Sequence, residues 1–214
     1  MNAVVDNDII LKAACYGLLD EFLGPSCESI DLAGVLGAAA FVTRQRAKKM
    51  AMKGNTEAVL ARLNSFFSSA VTLEPTDQEG ILAAEIEYVA QRCSVNLDSG
   101  ESQLCAVVIT RGIPLLLTGD KRAICALEVL LDADQRLLKL SNKVRCLEQL
   151  ISIALSKGQG AHLKAAICAE PSVDKALSIC FSCTTGGGDE QSFAQGIESY
   201  ITTLRSNAGR LLTV

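Results

Sequence analysis

The sequence predicts an α/β fold, with a parallel central sheet layered between helices over residues 1–136 and an all-helical extension over 137–214. Three observations carry this. Short, continuously apolar runs, too brief for helices, alternate with longer stretches of helical spacing. The two clearest runs, Ala3 to Val5 and Ile113 to Thr118, stop at Asp6 and at Gly119-Asp120. Beyond Leu137 the spacing stays helical throughout.

In order, Ala3 to Val5 reads as a strand, and Ile9, Leu11, Ala13, Ala14, Leu18, Leu19 and Phe22 follow with helical spacing. Gly24-Pro25-Ser26 supplies the stop for that helix. Asp31 to Arg46 reads as a second helix carrying Leu32, Val35, Leu36, Ala39 and Phe41, and Thr56 to Phe67 as a third. Val71 to Leu73 is a short strand closed by Glu74-Pro75. From Glu79 the positions Leu82, Ile86, Val89, Ala90 and Cys93 share one helical face, and Asn96 to Gly100 is a loop. The next helix begins near Glu101, turns Leu104, Val107 and Val108 inward, and ends around Arg111-Gly112. Ile113 to Thr118 suits a strand buried on both faces, and Arg122 to Leu131 returns to helix. Strands separated by helices pair in parallel through right-handed crossovers. The extension reads as helices over Lys143–Leu155, His162–Ile167, Val173–Cys180 and Phe193–Leu204, with breaks at Gly158-Gln159-Gly160 and Gly186-Gly187-Gly188.

Composition narrows the function. A net charge of -4 excludes nonspecific attraction of the whole surface to nucleic acid, so any such contact needs local positive potential. The longest uncharged apolar run, Leu32 to Thr43, is shorter than the roughly 20 residues that cross a bilayer, so no membrane partner is expected. The opening residues carry no secretory pattern. Nine cysteines, placed like core residues at Cys93, Cys105 and Cys125, are expected to be reduced thiols, which with the missing signal predicts a cytoplasmic protein.

In open parallel sheets, ligands bind beyond the carboxyl ends of the strands, where Asp6 and Asp120 stand. Glu101 opens the helix leading into the second of these strands and can reach the same rim. Three carboxylates gathered together repel unless a cation sits among them, and all-oxygen ligands suit Mg²⁺ or Mn²⁺. Asp8 and Asp98 are further candidate ligands. Lys121 and Arg122, beside the last acid, are placed to hold a phosphate. Arg44, Arg46, Lys48, Lys49 and Lys53 form a cationic run without an acid, able to bind successive phosphates or to serve as a solvated helix face.

The segments Val4–Ile10, Leu97–Leu104 and Leu115–Arg122 resemble three motifs of the PIN-domain family, in the family's order, over roughly the first two-thirds of the chain. The resemblance implies a PIN-like three-layer fold and a metal-dependent ribonuclease, with many members being toxins of toxin–antitoxin pairs. It implies that Asp6, Glu101 and Asp120 are metal-site acids and that Thr118 is the polar residue before the last of them. The family's further acid, on a helix between the first and third motifs, has no counterpart here: Glu28, Asp31, Glu57 and Glu74 lack a surrounding motif.

Other readings stand beside this one. Asp6 and Asp120 are also good helix caps, and Asp98 with Glu101 fits a capping box. Val4 to Asp8 also resembles the first motif of haloacid-dehalogenase-type phosphatases, with Asp6 as nucleophile, although no second acid follows Gly119-Asp120 closely. A catalytically inactive scaffold is a further alternative, its helical extension docking a protein partner or a second copy. Cys180, Cys183, His162 and Cys168 make a weak zinc set against the simpler reading of buried thiols.

Overall fold

A computed structural model describes residues 1–50 and 52–214. Five strands, β1 (Ala3–Val5), β2 (Ala33–Leu36), β3 (Val71–Leu73), β4 (Leu115–Thr118) and β5 (Val144–Cys146), form one parallel sheet in the order β3-β2-β1-β4-β5. The chain steps outward from β1 to β3, then crosses back to lay β4 on the other side of β1. That reversal opens a crevice at the carboxyl ends of β1 and β4.

Alternation along the strands sorts the core into two. Ala3, Val5, Ala33, Val35, Leu115 and Leu117 pack into one cluster, and Val4, Leu116, Val144 and Cys146 into the other. Successive strand side chains point to opposite faces, so the two clusters lie on either side of the sheet. The first is built against α1 (Asn7–Tyr16), α2 (Leu19–Cys27), α3 (Ala39–Lys49), α4 (Thr56–Ser69) and the later helices α8 (Leu147–Ser156), α9 (Gly160–Ala169), α10 (Lys175–Cys180) and α11 (Glu190–Asn207). The second is built against α5 (Asp77–Arg92), α6 (Ser99–Arg111), α7 (Lys121–Leu130) and the last residues of the chain. The protein is therefore an α/β structure of three layers, with the sheet buried on both faces.

Four expectations are corrected. Residues 31–46 are not one helix: Ile30–Leu32 is a 3₁₀ turn, Ala33–Leu36 is β2, and only then does α3 begin. A short apolar run between two buried layers has no periodicity that separates strand from helix. Gly34 marks a close approach within β2, since a Cβ there would collide with the Met1 and Leu73 side chains. The first helix does not run unbroken from Ile9 to Phe22. Gly17, in the left-handed region at φ +71°, ends α1, and α2 continues past Pro25 to Cys27.

The segment 137–214 is not all-helical. Val144-Arg145-Cys146, inside the expected helix 143–155, pairs with β4, and Leu212 makes a parallel bridge to Val144. Three residues are too few for a period to show. A cut between 136 and 137 falls within a 3₁₀ turn (Gln135–Leu140) and separates β4 from β5. Finally, the cysteines are not all reduced: Cys168 and Cys183 form a disulfide, while seven others, five of them buried, are free. Among the described residues no helix is long and apolar enough to cross a membrane.

Gly17 supplies a test of the α1–α2 break. An alanine there must adopt a left-handed backbone, with its Cβ 3.3 Å from the Arg62 guanidinium carbon. Gly17→Ala should lower unfolding free energy by about 1–2 kcal/mol in urea titration; an unchanged midpoint would show that the break does not depend on glycine.

Candidate functional site

Strand pairing assembles the site. β1 and β4 run side by side with Ala3 opposite Leu115, Val4 opposite Leu116 and Val5 opposite Leu117. The chain beyond each strand therefore emerges at the same edge. The Asp6 N–H extends the ladder by donating to Leu117 O at 2.9 Å. Thr118, buried at the end of β4, donates its hydroxyl to Asp6 Oδ2 at 3.2 Å and accepts the Asp120 N–H at 3.2 Å. One hydroxyl thus ties together the two turns that bear acids.

Above that edge lies a cavity of about 890 Å³, walled by Asp6, Asp8, Asp98, Glu101, Asp120 and Asp174. Lys12, Arg46, Lys121 and Arg122 also line it. With every group ionised, six carboxylates against four cations leave a formal -2.

Each expected acid is held differently. Asp6 precedes α1 with an extended backbone, and its carboxylate makes no cap bond to the helix, although the adjacent Asn7 N–H acts to lower its pKa. Burial, followed by the charge of Asp8, pushes its pKa up to about 6. Glu101 sits in the first turn of α6, where Glu101 Oε2 accepts the Asp98 N–H at 2.9 Å and Asp98 Oδ1 accepts the Glu101 N–H at 2.8 Å. Both halves of the capping box are present. Burial raises Glu101 to about 7, with Asp98, Asp120 and Asp6 adding to the rise. For Asp120, burial also raises the pKa, but the Arg122 side chain and the Ala123 and Arg122 N–H groups outweigh it, so the carboxyl titrates below the usual range. Oδ1 of Asp120 caps α7 by accepting from Arg122 N at 2.8 Å and Ala123 N at 3.2 Å, while Oδ2 takes the Arg122 guanidinium at 2.9 Å. The capping readings hold for Asp120 and for Asp98 with Glu101 but not for Asp6, and all four acids line the one cavity.

Among the described residues, no three His, Cys, Asp or Glu side chains are grouped tightly enough, as they stand, to hold one ion. The acids share a cavity and perturb one another, but Glu101 is turned to Asp98 and Asp120 to Arg122.

The cations divide. Arg46 lines the cavity from α3, whereas Arg44 points elsewhere, donating to Asn64 Oδ1 at 2.8 Å and lying over the Phe67 ring. Lys48 and Lys49 are exposed in the last turn of α3, and Lys53 is exposed beyond it; none of the three lies on the cavity wall. Lys121, placed by the sequence either to hold a phosphate or to partner an acid, takes the second part: its amine is 2.5 Å from the buried Glu148 and over the Tyr200 ring. Arg122 is paired with Asp120 but its side chain is 89% exposed. The zinc set does not assemble: Cys168 is bonded to Cys183, His162 meets Glu21 at 3.0 Å, and Cys180 is a separate buried thiol.

Three residues were missed. Lys12 bridges Asp8 and Asp174 on the cavity wall, and Glu148 holds Lys121. Lys12 stands four residues after Asp8 on one helix, a spacing legible in the sequence. Asp174 before Lys175 is legible as a cap for α10, but its arrival at this cavity depends on tertiary packing. None of Glu28, Asp31, Glu57 and Glu74 lines the cavity, and α3 presents Ala38, Ala39, Val42 and Arg46 there without an acid. No protein-family model, curated protein or solved structure matches the chain.

The raised carboxyls make a stability prediction with a definite sign. Asp6 and Glu101 titrate above their ordinary values of 3.8 and 4.5, so the folded protein binds protons that the unfolded chain has released between roughly pH 4 and 7. Their contribution is most favourable below that window, declines as pH rises through the folded values, and stays unfavourable above them. In EDTA, Asp6→Asn should stabilise the protein by about 2 kcal/mol at pH 8 and change little at pH 4. Equal destabilisation at both pH values would remove the premise that Asp6 is a costly buried acid.

Proposed function

We propose that the chain is a PIN-like, divalent-metal-dependent nuclease that hydrolyses phosphodiester bonds in RNA at the cavity where β1 and β4 end. The observation that carries this reading is the convergence of Asp6, Glu101 and Asp120 on one cavity at the sheet's switch point, with Asp6 and Glu101 pushed toward protonation by burial and by neighbouring carboxylates of the same cavity. A divalent ion would relieve that repulsion, and one such ion cancels the cavity's formal charge. All-oxygen donors suit Mg²⁺ or Mn²⁺ in kind.

Asp6, Glu101 and Asp120 would hold the ion, which when bound supplies an activated water and neutralises charge building up on the phosphodiester. The protein's own part is positioning. Thr118 keeps the Asp6 and Asp120 turns in register through its two hydrogen bonds. Arg122 can leave Asp120 at little cost, because its side chain is 89% exposed and solvent screens the pair, and its guanidinium is then available to a phosphate. Arg46, exposed where α3 meets the cavity, is placed to receive the strand as it leaves. Lys121 is committed to Glu148 and is given no phosphate role. A toxin-type endoribonuclease is the narrower form of the proposal.

A second reading, an inactive PIN-like scaffold, draws on one observation: Glu101 and Asp120 are both satisfied by helix ends and Arg122 without any ion. The phosphatase reading is weaker, because Asp8, its general acid, is held in an ion pair with Lys12 at 2.7 Å.

Isothermal titration with Mn²⁺ and cleavage of a labelled single-stranded RNA separate these. The wild-type protein should bind Mn²⁺ and shorten the RNA, and Asp120→Asn, which keeps a good helix cap, should fold normally and lose on the order of 100-fold or more in rate. Undiminished cleavage by that variant would refute the assignment, and absent Mn²⁺ binding would leave the scaffold.

A further inference from the structure

Lys12 lies on α1 one turn beyond Asp8 and reaches into the cavity. Its amine stands 2.7 Å from Asp8 Oδ2 and 2.8 Å from Asp174 Oδ2. All three side chains are largely withdrawn from water, at 16%, 23% and 14% exposure. Asp174 is itself fixed, since its Oδ1 accepts the Leu177 N–H at 3.1 Å at the start of α10. Asp8 lies on the other side, its carboxylate packed against Gly119 in the turn leading to Asp120, where a Cβ would collide with Oδ2.

We propose that Lys12 contacts a phosphate oxygen of the nucleic-acid strand in this cavity, and that Asp174, by holding Lys12, makes helix α10 part of the substrate-binding site. The inference rests on the nuclease reading above. Among the four cavity cations, Lys12 is the one paired with two carboxylates and the one best screened from solvent. Lys121 is spent on Glu148, and the Arg122 side chain is almost fully exposed. A cation held still in a water-poor site acts more strongly on an incoming charge than a mobile surface cation does, because nothing must be reorganised when the charge arrives. An ammonium carries three protons, and the two carboxylates account for two of them. The third can serve a phosphate.

The alternative is a clasp that only glues α10 to α1. Salt dependence separates the two, because each phosphate contact adds about 0.7 to the slope of log affinity against log salt for a single strand, whereas a structural clasp adds nothing. The measurement is anisotropy of a labelled single-stranded RNA with Asp120→Asn protein in Mg²⁺ buffer over about 50–200 mM KCl. Lys12→Met should reduce the slope by about 0.7, and Lys12→Arg should keep it. Asp174→Asn keeps both the cap and Lys12, so it should weaken binding several-fold with the slope unchanged. If Lys12→Met fails to fold by circular dichroism, it is read in an Asp8→Asn/Asp174→Asn background, where no buried charge is left unpaired. An unchanged slope in the folded Lys12 variant overturns the phosphate contact, and wild-type affinity in Asp174→Asn overturns the part played by α10. If the wild-type protein still cleaves RNA, only this proposal falls. If it neither binds nor cleaves RNA, the nuclease reading falls and takes this proposal with it.

Discussion

The parallel pairing of β1 with β4 is the constraint on which the rest depends. Two strands read in the same direction, in register from Ala3–Leu115 to Val5–Leu117, must release their next residues at one edge. Those residues are Asp6 on one side and Thr118-Gly119-Asp120 on the other. The helices that follow are thereby obliged to begin at the same place. The starts of α1, α3, α6, α7 and α10 surround the cavity. Their partial positive ends offset part of the acids' repulsion and let carboxylates gather where side chains alone would drive them apart.

The acids consequently serve twice. Asp120 closes α7, and Asp98 with Glu101 closes α6, so these side chains are retained by local structure whether or not a ligand arrives. Asp6 differs, since it is largely withdrawn from water, makes no cap bond through its side chain and is met by the Thr118 hydroxyl and the neighbouring Asn7 N–H. It is the residue whose presence the fold's own stability does not explain, and site residues are where such costs concentrate.

Much of this could be read from the chain, and the failures have a common cause. β1, β3, β4 and the helices from Thr56 to Leu131 were legible because their runs were bounded by turn residues and their periods ran long enough to count. β2 and β5 were not. Each is a run of three or four residues buried against other layers, where burial erases the alternation that marks a strand. The convergence of Asp6, Glu101 and Asp120 followed from strand order, but the opposite wall did not. Lys12 looked like an ordinary helix lysine, and Asp174 and Glu148 lie in a segment whose packing against the sheet no local pattern announces. The disulfide was missed because the pairing of Cys168 with Cys183 depends on how α9 and the turn after α10 approach in space.

The bridge from Leu212 to Val144 bears on how the molecule is made. The Thr213 N–H donates to Val144 O, and Gln149 and Arg205 donate to Thr213 O. The outer side of β5 is therefore sealed by residues nearly seventy positions further along. During synthesis β5 can dock on β4 long before that cover has left the ribosome, so for several seconds, at about 5–20 residues per second, its hydrogen-bonding edge stands open. An open edge invites pairing with another chain. A nascent polypeptide of this design is open to association with its neighbours on the polysome until residues 211–213 have emerged.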